Sequence, residues 1–415
     1  MIKKVIPSLL KGTVNVPPSK SDAQRAILAA ALSKGTSRIQ NPGKSDDVMH
    51  MIDIVQQIGA FVNLKNETAI IEITGIDKVS SNIILNCGES GLASRLIPPV
   101  MASFGGDFQF IGEGTLNNRN MSFFKSEFPQ MGIEVELTDL RFPMKLYGKL
   151  KNGNYTVDGS QSSQYISGLL MALPLLDGNS SLTVNNKTSA NYIEMTLDTM
   201  ETFGVWVESV ADSYKLVGGQ AYKPVNYKVE GDWSAASYWL VAAALGMEIS
   251  ICGLQMKSKQ ADKKIIDVLL TAGYQLQIND SNINVSGEGK AFDTDLSNAP
   301  DLFPALAVLA ARIEGVSVLH GVNRLFNKES NRAEALVIEL SKLGVDISII
   351  ENTLRIVGGS KFKGGEVSSH ADHRMAMAMA IFGMCGEEPI AIENANVVNK
   401  SYPDFWQQLD VLRSS

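Results

Sequence analysis

Thr13–Leu32, TVNVPPSKSDAQRAILAAAL, reads as a short alternating strand, a Pro-Pro stop, a Ser-Lys-Ser turn and an Ala/Leu-rich helix. The turn Ser19-Lys20-Ser21 falls where the helix must begin, because Ser and Asp side chains accept hydrogen bonds from unpaired first-turn amides. A lysine and free hydroxyls beside that partially positive helix end form an anion-seeking arrangement. Arg25 follows Ser21 by four residues, about one helical turn, and is expected to reach toward the same ligand. Taken alone, the stretch would pass for an ordinary capped helix with a solvated lysine. Its recurrence along the chain gives it weight.

Five further copies of strand, polar turn and apolar helix follow. They run Ile83–Leu85, turn 86–91 and helix 92–104; Tyr155–Val157, turn 158–163 and helix 164–176; Tyr227–Val229, turn 230–234 and helix 235–245. The last two are strand 292–296, turn 297–301 and helix 302–311, then Gly365–Val367, turn 368–372 and helix 373–385. Ser21, Gly91, Ser163, Ala235, Asp301 and Asp372 are equivalent points spaced about 70 residues apart. Between them a second helix recurs, as at 47–58, 121–131, 192–203, 262–272 and 332–343, each followed by Gly and in most copies by an alternating strand. Gly after a helix is the usual left-handed cap, and period-two alternation marks a strand. The repeating unit is therefore βαβαββ, six times over, too long for a solenoid repeat.

The first helices show almost no polar stripe: Ile166–Leu176 reads ISGLLMALPLL and Met375–Met384 reads MAMAMAIFGM. A helix without a polar face is buried, and a buried helix start must have its amides satisfied by caps or by a ligand. If the six point one way, their positive ends define one polar, anion-seeking region. The turn residues there are Lys20, Ser21, Arg25, Ser162, Ser163, Gln164, Asp301, Asp372, His373 and Arg374. Connections add Arg119, Ser189, Lys328, Glu329, Arg332 and Lys400. Each alone could be a cap or a loop charge. Together they are cations and hydroxyls at matching repeat positions with two carboxylates, Asp301 and Glu329, which suits ligands carrying several negative charges.

The chain has 415 residues, so two domains are expected. A net charge of −7 without a basic run argues against nucleic acid or an anionic membrane as partner. The cysteines Cys87, Cys252 and Cys385 share no metal-ligand spacing and read as small hydrophobes of a reducing, cytoplasmic protein. The N-terminal apolar run is too short for a signal peptide, and no segment reaches the roughly 20 apolar residues of a membrane span. There is no P-loop, Rossmann glycine fingerprint, metal-spaced histidine cluster or nucleophile elbow.

PPSKSDAQRA, GEGTLNNR, DGSQSSQ, NAPDLFPALA, NKESNR, HADHRMAMA and NKSYPDFW resemble, in order and spacing across essentially the whole chain, the motifs of the EPSP synthase family (3-phosphoshikimate 1-carboxyvinyltransferase). The resemblance implies an α/β (α+β), two-domain enolpyruvyl transferase fold, each domain three βαβαββ units with buried parallel helices. It implies residues 1–18 and 229–415 as domain 1, 19–228 as domain 2, and an active site in the interdomain cleft. Carried over by position, shikimate 3-phosphate would be bound by Lys20, Ser21, Arg25, Ser162, Ser163, Gln164, Ser189, Asp301 and Lys328. Phosphoenolpyruvate would meet Lys20, Gly91, Arg119, Gln164, Arg332, Arg374 and Lys400. Asp301 with Lys20 or Lys328 would take the 5-hydroxyl proton, and Glu329 would protonate the methylene carbon and later remove a proton. The resemblance further implies no cofactor, no metal and a monomer.

One stretch departs from the family pattern. Where Asn-Ala-Gly-Thr-Ala-x-Arg-Pro is common, this chain reads Glu89-Ser90-Gly91-Leu92-Ala93-Ser94-Arg95-Leu96. Gly91 and Arg95 are kept, while Glu89 places a negative charge near the phosphoenolpyruvate end. The sister transferase acting on UDP-N-acetylglucosamine typically has a cysteine in the loop corresponding to Gly112–Met121, and none stands here. It also lacks the SxSQ-type turn of Ser160–Gln164. A non-catalytic descendant would have lost Asp301, Glu329 or the arginines, and all are present.

Overall fold

A computed structural model of the chain describes residues 1–65, 69–279, 282–359 and 361–414. Two compact units emerge, Met1–Pro17 with Glu230–Ser415, and Pro18–Val229. The described helices of the second unit are α1 Lys20–Ala31, α2 Asp46–Gln57, α3 Ala93–Phe104, α4 Ser122–Glu127, α5 Ser163–Ala172 and α6 Ala190–Thr202. Those of the first are α7 Trp233–Ala244, α8 Ile265–Thr271, α9 Phe303–Arg312, α10 Arg332–Lys342, α11 His373–Met384 and α12 Phe405–Ser414.

The expected burial of the first helices is observed. Every residue of α7 and of α11 is buried, including the polar Ser234, Ser237, His373 and Arg374. In the first unit α7, α9 and α11 pack on one another, and in the second α5 packs against α3 and α6. Large apolar side chains such as Trp233, Trp239 and Phe303 lie in the first interior, each worth about 1.5–3 kcal/mol of burial. Prolines reset two expected boundaries. The helix of 121–131 ends after α4 and resumes as a 3-10 turn at Pro129–Met131, and that of 164–176 becomes α5 with a 3-10 turn at Leu173–Leu175. Pro129 and Pro174 lack the amide that would continue the helical ladder.

Among the described residues, six small sheets carry these helices. The sheet of Ile83–Asn86 shows the rule. That strand runs parallel to Gly106–Ile111, which pairs antiparallel with Arg141–Gly148, itself antiparallel to Ile133–Thr138. A parallel pair needs a crossover, here α3, while the antiparallel pair is closed by a short turn. The sheets begun by Asn154–Asp158 and Asp293–Asp295 follow the same order.

Two sheets correct the simple sixfold reading. The strand before α1, Lys11–Asn15, runs parallel not to Thr36–Gln40 but to Glu248–Cys252, with Val14 opposite Ile251. The strand before α7, Asn226–Lys228, runs parallel to Thr36–Gln40, with Tyr227 opposite Ile39. The first and fourth copies thus exchange their first strands. The sixth sheet has three strands and is completed from the chain start, Lys3–Val5 pairing antiparallel with Ile390–Glu393.

Candidate active site

In the first unit the starts of α9, α10 and α11 bring together an ionic cluster. Asp301 sits in the 3-10 turn Pro300–Leu302 that leads into α9, so its carboxylate lies at a helix start. Arg332 opens α10 and is fully buried. Its Nε donates to Asp372 Oδ2 at 2.9 Å, its Nη1 to Asp301 Oδ1 at 2.8 Å and its Nη2 to Glu329 Oε2 at 2.9 Å. Arg374 Nη2 donates to Asp301 Oδ2 at 2.9 Å, and Lys328 Nζ lies 3.3 Å from Asp301 Oδ1. Lys400 Nζ stands 4.0 Å from Glu329 Oε1. Asp301, Glu329 and Asp372 thus meet Arg332, Arg374, Lys328 and Lys400 in one cluster.

The electrostatics follow from this crowding. Burial pushes Asp301 up, but Arg374, Lys328 and Arg332 together hold its carboxyl well below the usual range. Burial draws Lys328 down, only partly offset by Asp301. For Arg332 burial is outweighed by Asp372, Asp301 and Glu329, which hold it above its ordinary value. Asp262, hydrogen-bonded by Ser234, is pushed up to about 6 by burial and by the charge of Asp301.

Asp372 has two jobs. It caps α11, accepting from Arg374 N at 2.9 Å, and it counters Arg332. The turn that aims it contains His370 and Ala371 in consecutive left-handed conformations, at φ +51 and +54. His370 Nε2 lies 2.6 Å from Glu339 Oε1, which tethers this turn to the same helix α10 that carries Arg332.

The second unit holds a separate group. Ser19 caps α1, accepting from Asp22 N, and Lys20 is its first residue. Lys20 Nζ pairs with Asp47 Oδ2 of α2 at 2.8 Å. Ser162 caps α5, and Gln164 Oε1 accepts from Arg95 Nη1 at 3.0 Å. Arg95 also donates to Gly91 O at 2.9 Å and stacks over Tyr165. A Cβ on Gly91 would stand 2.3 Å from Arg119 Nη1 and 3.0 Å from Arg95 Nη1, so only glycine lets both guanidiniums lie here. Ser189, at φ +51, precedes α6.

Arg25 is buried between α1 and α6, donating to Thr196 Oγ1 at 2.7 Å, Ser21 O at 2.7 Å and Tyr192 O at 3.1 Å. Burial pushes it down to about 10 against Asp22, Tyr192 and Tyr227. Sequence reasoning also passed over Asp47, an ordinary first-turn acid by position, and the Glu339–His370 pair, whose partners are far apart in sequence.

This geometry can hold multiply anionic ligands and move protons at a carboxylate. The EPSP synthase (3-phosphoshikimate 1-carboxyvinyltransferase) family model matches residues 5–409. The chain belongs to the EPSP synthase family. A 3-phosphoshikimate 1-carboxyvinyltransferase of Clostridium perfringens is 38% identical over 99% of this chain and 98% of its own length. One of Clostridium novyi is 36% identical over 98% of this chain and 96% of its own length. The EPSP synthase of Acinetobacter baumannii superposes with a TM-score of 0.84 at 25% identity, covering 99% of this chain and 98% of that one. Membership of the EPSP synthase family accords with the two-unit, six-sheet architecture described above.

Proposed function

We propose that this chain is a transferase that moves the enolpyruvyl group of phosphoenolpyruvate onto the 5-hydroxyl of shikimate 3-phosphate, releasing phosphate by addition and elimination. The reaction belongs to the shikimate pathway of aromatic amino-acid biosynthesis. The observation that carries the site assignment is the Asp301 carboxylate held by Arg332, Arg374 and Lys328. Lys20, Ser21, Arg25, Ser162, Ser163, Gln164, Ser189, Asp301 and Lys328 would serve shikimate 3-phosphate. Lys20, Gly91, Arg119, Gln164, Arg332, Arg374 and Lys400 would serve phosphoenolpyruvate.

In the addition step the 5-oxygen bonds to the central carbon of phosphoenolpyruvate. On this reading Asp301, assisted by Lys20 or Lys328, would take the hydroxyl proton, and Glu329 would give a proton to the methylene carbon. In the elimination step Glu329 takes a proton back from that carbon as the carbon–oxygen bond to phosphate breaks. A carboxylate surrounded by three cations is a weak base. Substrate phosphate and carboxylate groups that draw Arg332, Arg374 and Lys328 onto themselves would raise its basicity when the proton must move. Arg332 would exchange one of its carboxylate partners for substrate in that step. Arg25 donates through three of its five N–H groups in the present structure, so the remaining two would serve shikimate 3-phosphate.

No described helix is long and apolar enough to cross a membrane. The family and the charge of −7 support action in the cytoplasm on small molecules, as a monomer and without nucleic acid. The test is phosphate release from phosphoenolpyruvate, with shikimate 3-phosphate and separately with UDP-N-acetylglucosamine. Release with the first alone is expected, and release with the nucleotide sugar alone overturns the reading.

A further inference from the structure

Glu89 stands beside Gly91 in the turn before α3, where a negative charge would work against an anionic ligand. Its Oε1 is aimed elsewhere, accepting the backbone amide of Thr115 at 3.0 Å. Gly114 makes this possible. Its φ is +48, and a Cβ built there would lie 1.4 Å from Glu89 Oε1. The adjoining residue is tied to the same turn: Glu113 N donates to Gly88 O at 2.7 Å, and Asn86 Nδ2 donates to Glu113 Oε1 at 2.7 Å. From there the chain makes one 3-10 segment, Gly114–Asn118, anchored by the fully buried Leu116, and delivers Arg119, whose amide donates to Leu116 O. Arg119 then lies across the bare Cα of Gly91.

We propose that Glu89 is a positioning residue that latches residues 113–115 and thereby fixes Arg119 over Gly91 for phosphoenolpyruvate. The two ends of the loop are held by residues two apart in one turn: the Glu89 carboxylate takes the beginning, and Gly91 receives the guanidinium at the end. An amide at the start of a helical segment is a good partner for a carboxylate, because that end carries partial positive charge. The departure from the common asparagine is thus paired with Gly114, which leaves room for the longer acidic side chain. This rests on the reading of Arg119 as a phosphoenolpyruvate ligand.

The test compares Glu89→Ala, Glu89→Gln, Arg119→Ala and the double variant Glu89→Ala/Arg119→Ala. Glu89→Ala should raise the phosphoenolpyruvate KM about tenfold with shikimate 3-phosphate binding unchanged, since a displaced guanidinium loses orientation rather than charge. Glu89→Gln keeps the acceptor oxygen and should restore most of the loss. The double variant should be no worse than Arg119→Ala, because the latch acts through that arginine. Hydrogen–deuterium exchange at the Thr115 amide reads the latch directly, faster in Glu89→Ala and near parental in Glu89→Gln. Unchanged Thr115 exchange, equal weakening of both substrates, no rescue by glutamine or an additive double variant each overturns the proposal. If Arg119→Ala leaves phosphoenolpyruvate binding intact while Thr115 exchange still responds to Glu89→Ala, the latch stands but its purpose is wrong, and the ligand assignment fails with it.

Discussion

Replacing Asp372 separates the two jobs its buried carboxylate performs. The group is fully buried, holds Arg332 through Oδ2 at 2.9 Å and Oδ1 at 3.3 Å, and accepts a first-turn amide of α11 from Arg374. Asp372→Asn keeps the shape and an equally good cap, but leaves Arg332 to Asp301 and Glu329. Breaking a buried pair costs about 3–5 kcal/mol, and the two remaining carboxylates place this variant at about 3. Asp372→Ala also loses the cap, a further loss of about 1 kcal/mol, so about 4 kcal/mol in all. The assay is urea unfolding followed by tryptophan fluorescence. Trp233, Trp239 and Trp406 are buried in the unit that holds Asp372, whereas Trp206 of the other unit is 63% exposed, so the signal follows the unit of interest. With a slope of about 3 kcal/mol per molar urea, Asp372→Asn should lower the midpoint by about 1 M. An Asp372→Asn protein within about 0.5 kcal/mol of the parent would refute the pairing as a stabilising contact. Equal losses in the two variants would refute the cap.

Three further outcomes follow from the same geometry. Asp301→Asn should lower turnover by at least about 100-fold while shikimate 3-phosphate binding stays measurable; near-normal turnover removes it as the base. Gly91→Ala should displace Arg119, raising the phosphoenolpyruvate KM about tenfold and changing stability by less than about 1 kcal/mol, and an unchanged KM argues against the close approach. Asp262 is raised in the folded state, so its contribution is most favourable below its unfolded value of about 4 and is lost as pH rises toward about 6. Asp262→Asn should therefore gain on the order of 2 kcal/mol at pH 7 and nothing at pH 4, read from urea midpoints at both; an equal change at both pH values refutes the titration.

Local patterns made much of this protein legible. Helix starts are written as a cap and a short polar turn, as at Ser19-Lys20 and Asp372, and these features act within one helical turn of chain. The depth of α7 and α11 is written in the absence of a polar stripe. The charged positions 301, 328, 329, 332 and 374 stood out as a set because they recur at equivalent places in a repeat.

Partner choice was decided only by the tertiary structure. Lys11–Asn15 could have paired with the strand after its own helix, and nothing local distinguishes that from Glu248–Cys252, more than two hundred residues away. The same holds for side chains. Lys20 chooses Asp47, Arg25 turns to Thr196, and Arg332 gathers carboxylates from three separate turns. A capping hydroxyl or a helical period acts over a few residues and is therefore recorded in sequence. A strand ladder or a buried ion pair depends on which distant surfaces meet, and its strength comes from a low-dielectric interior that exists only once the chain has folded.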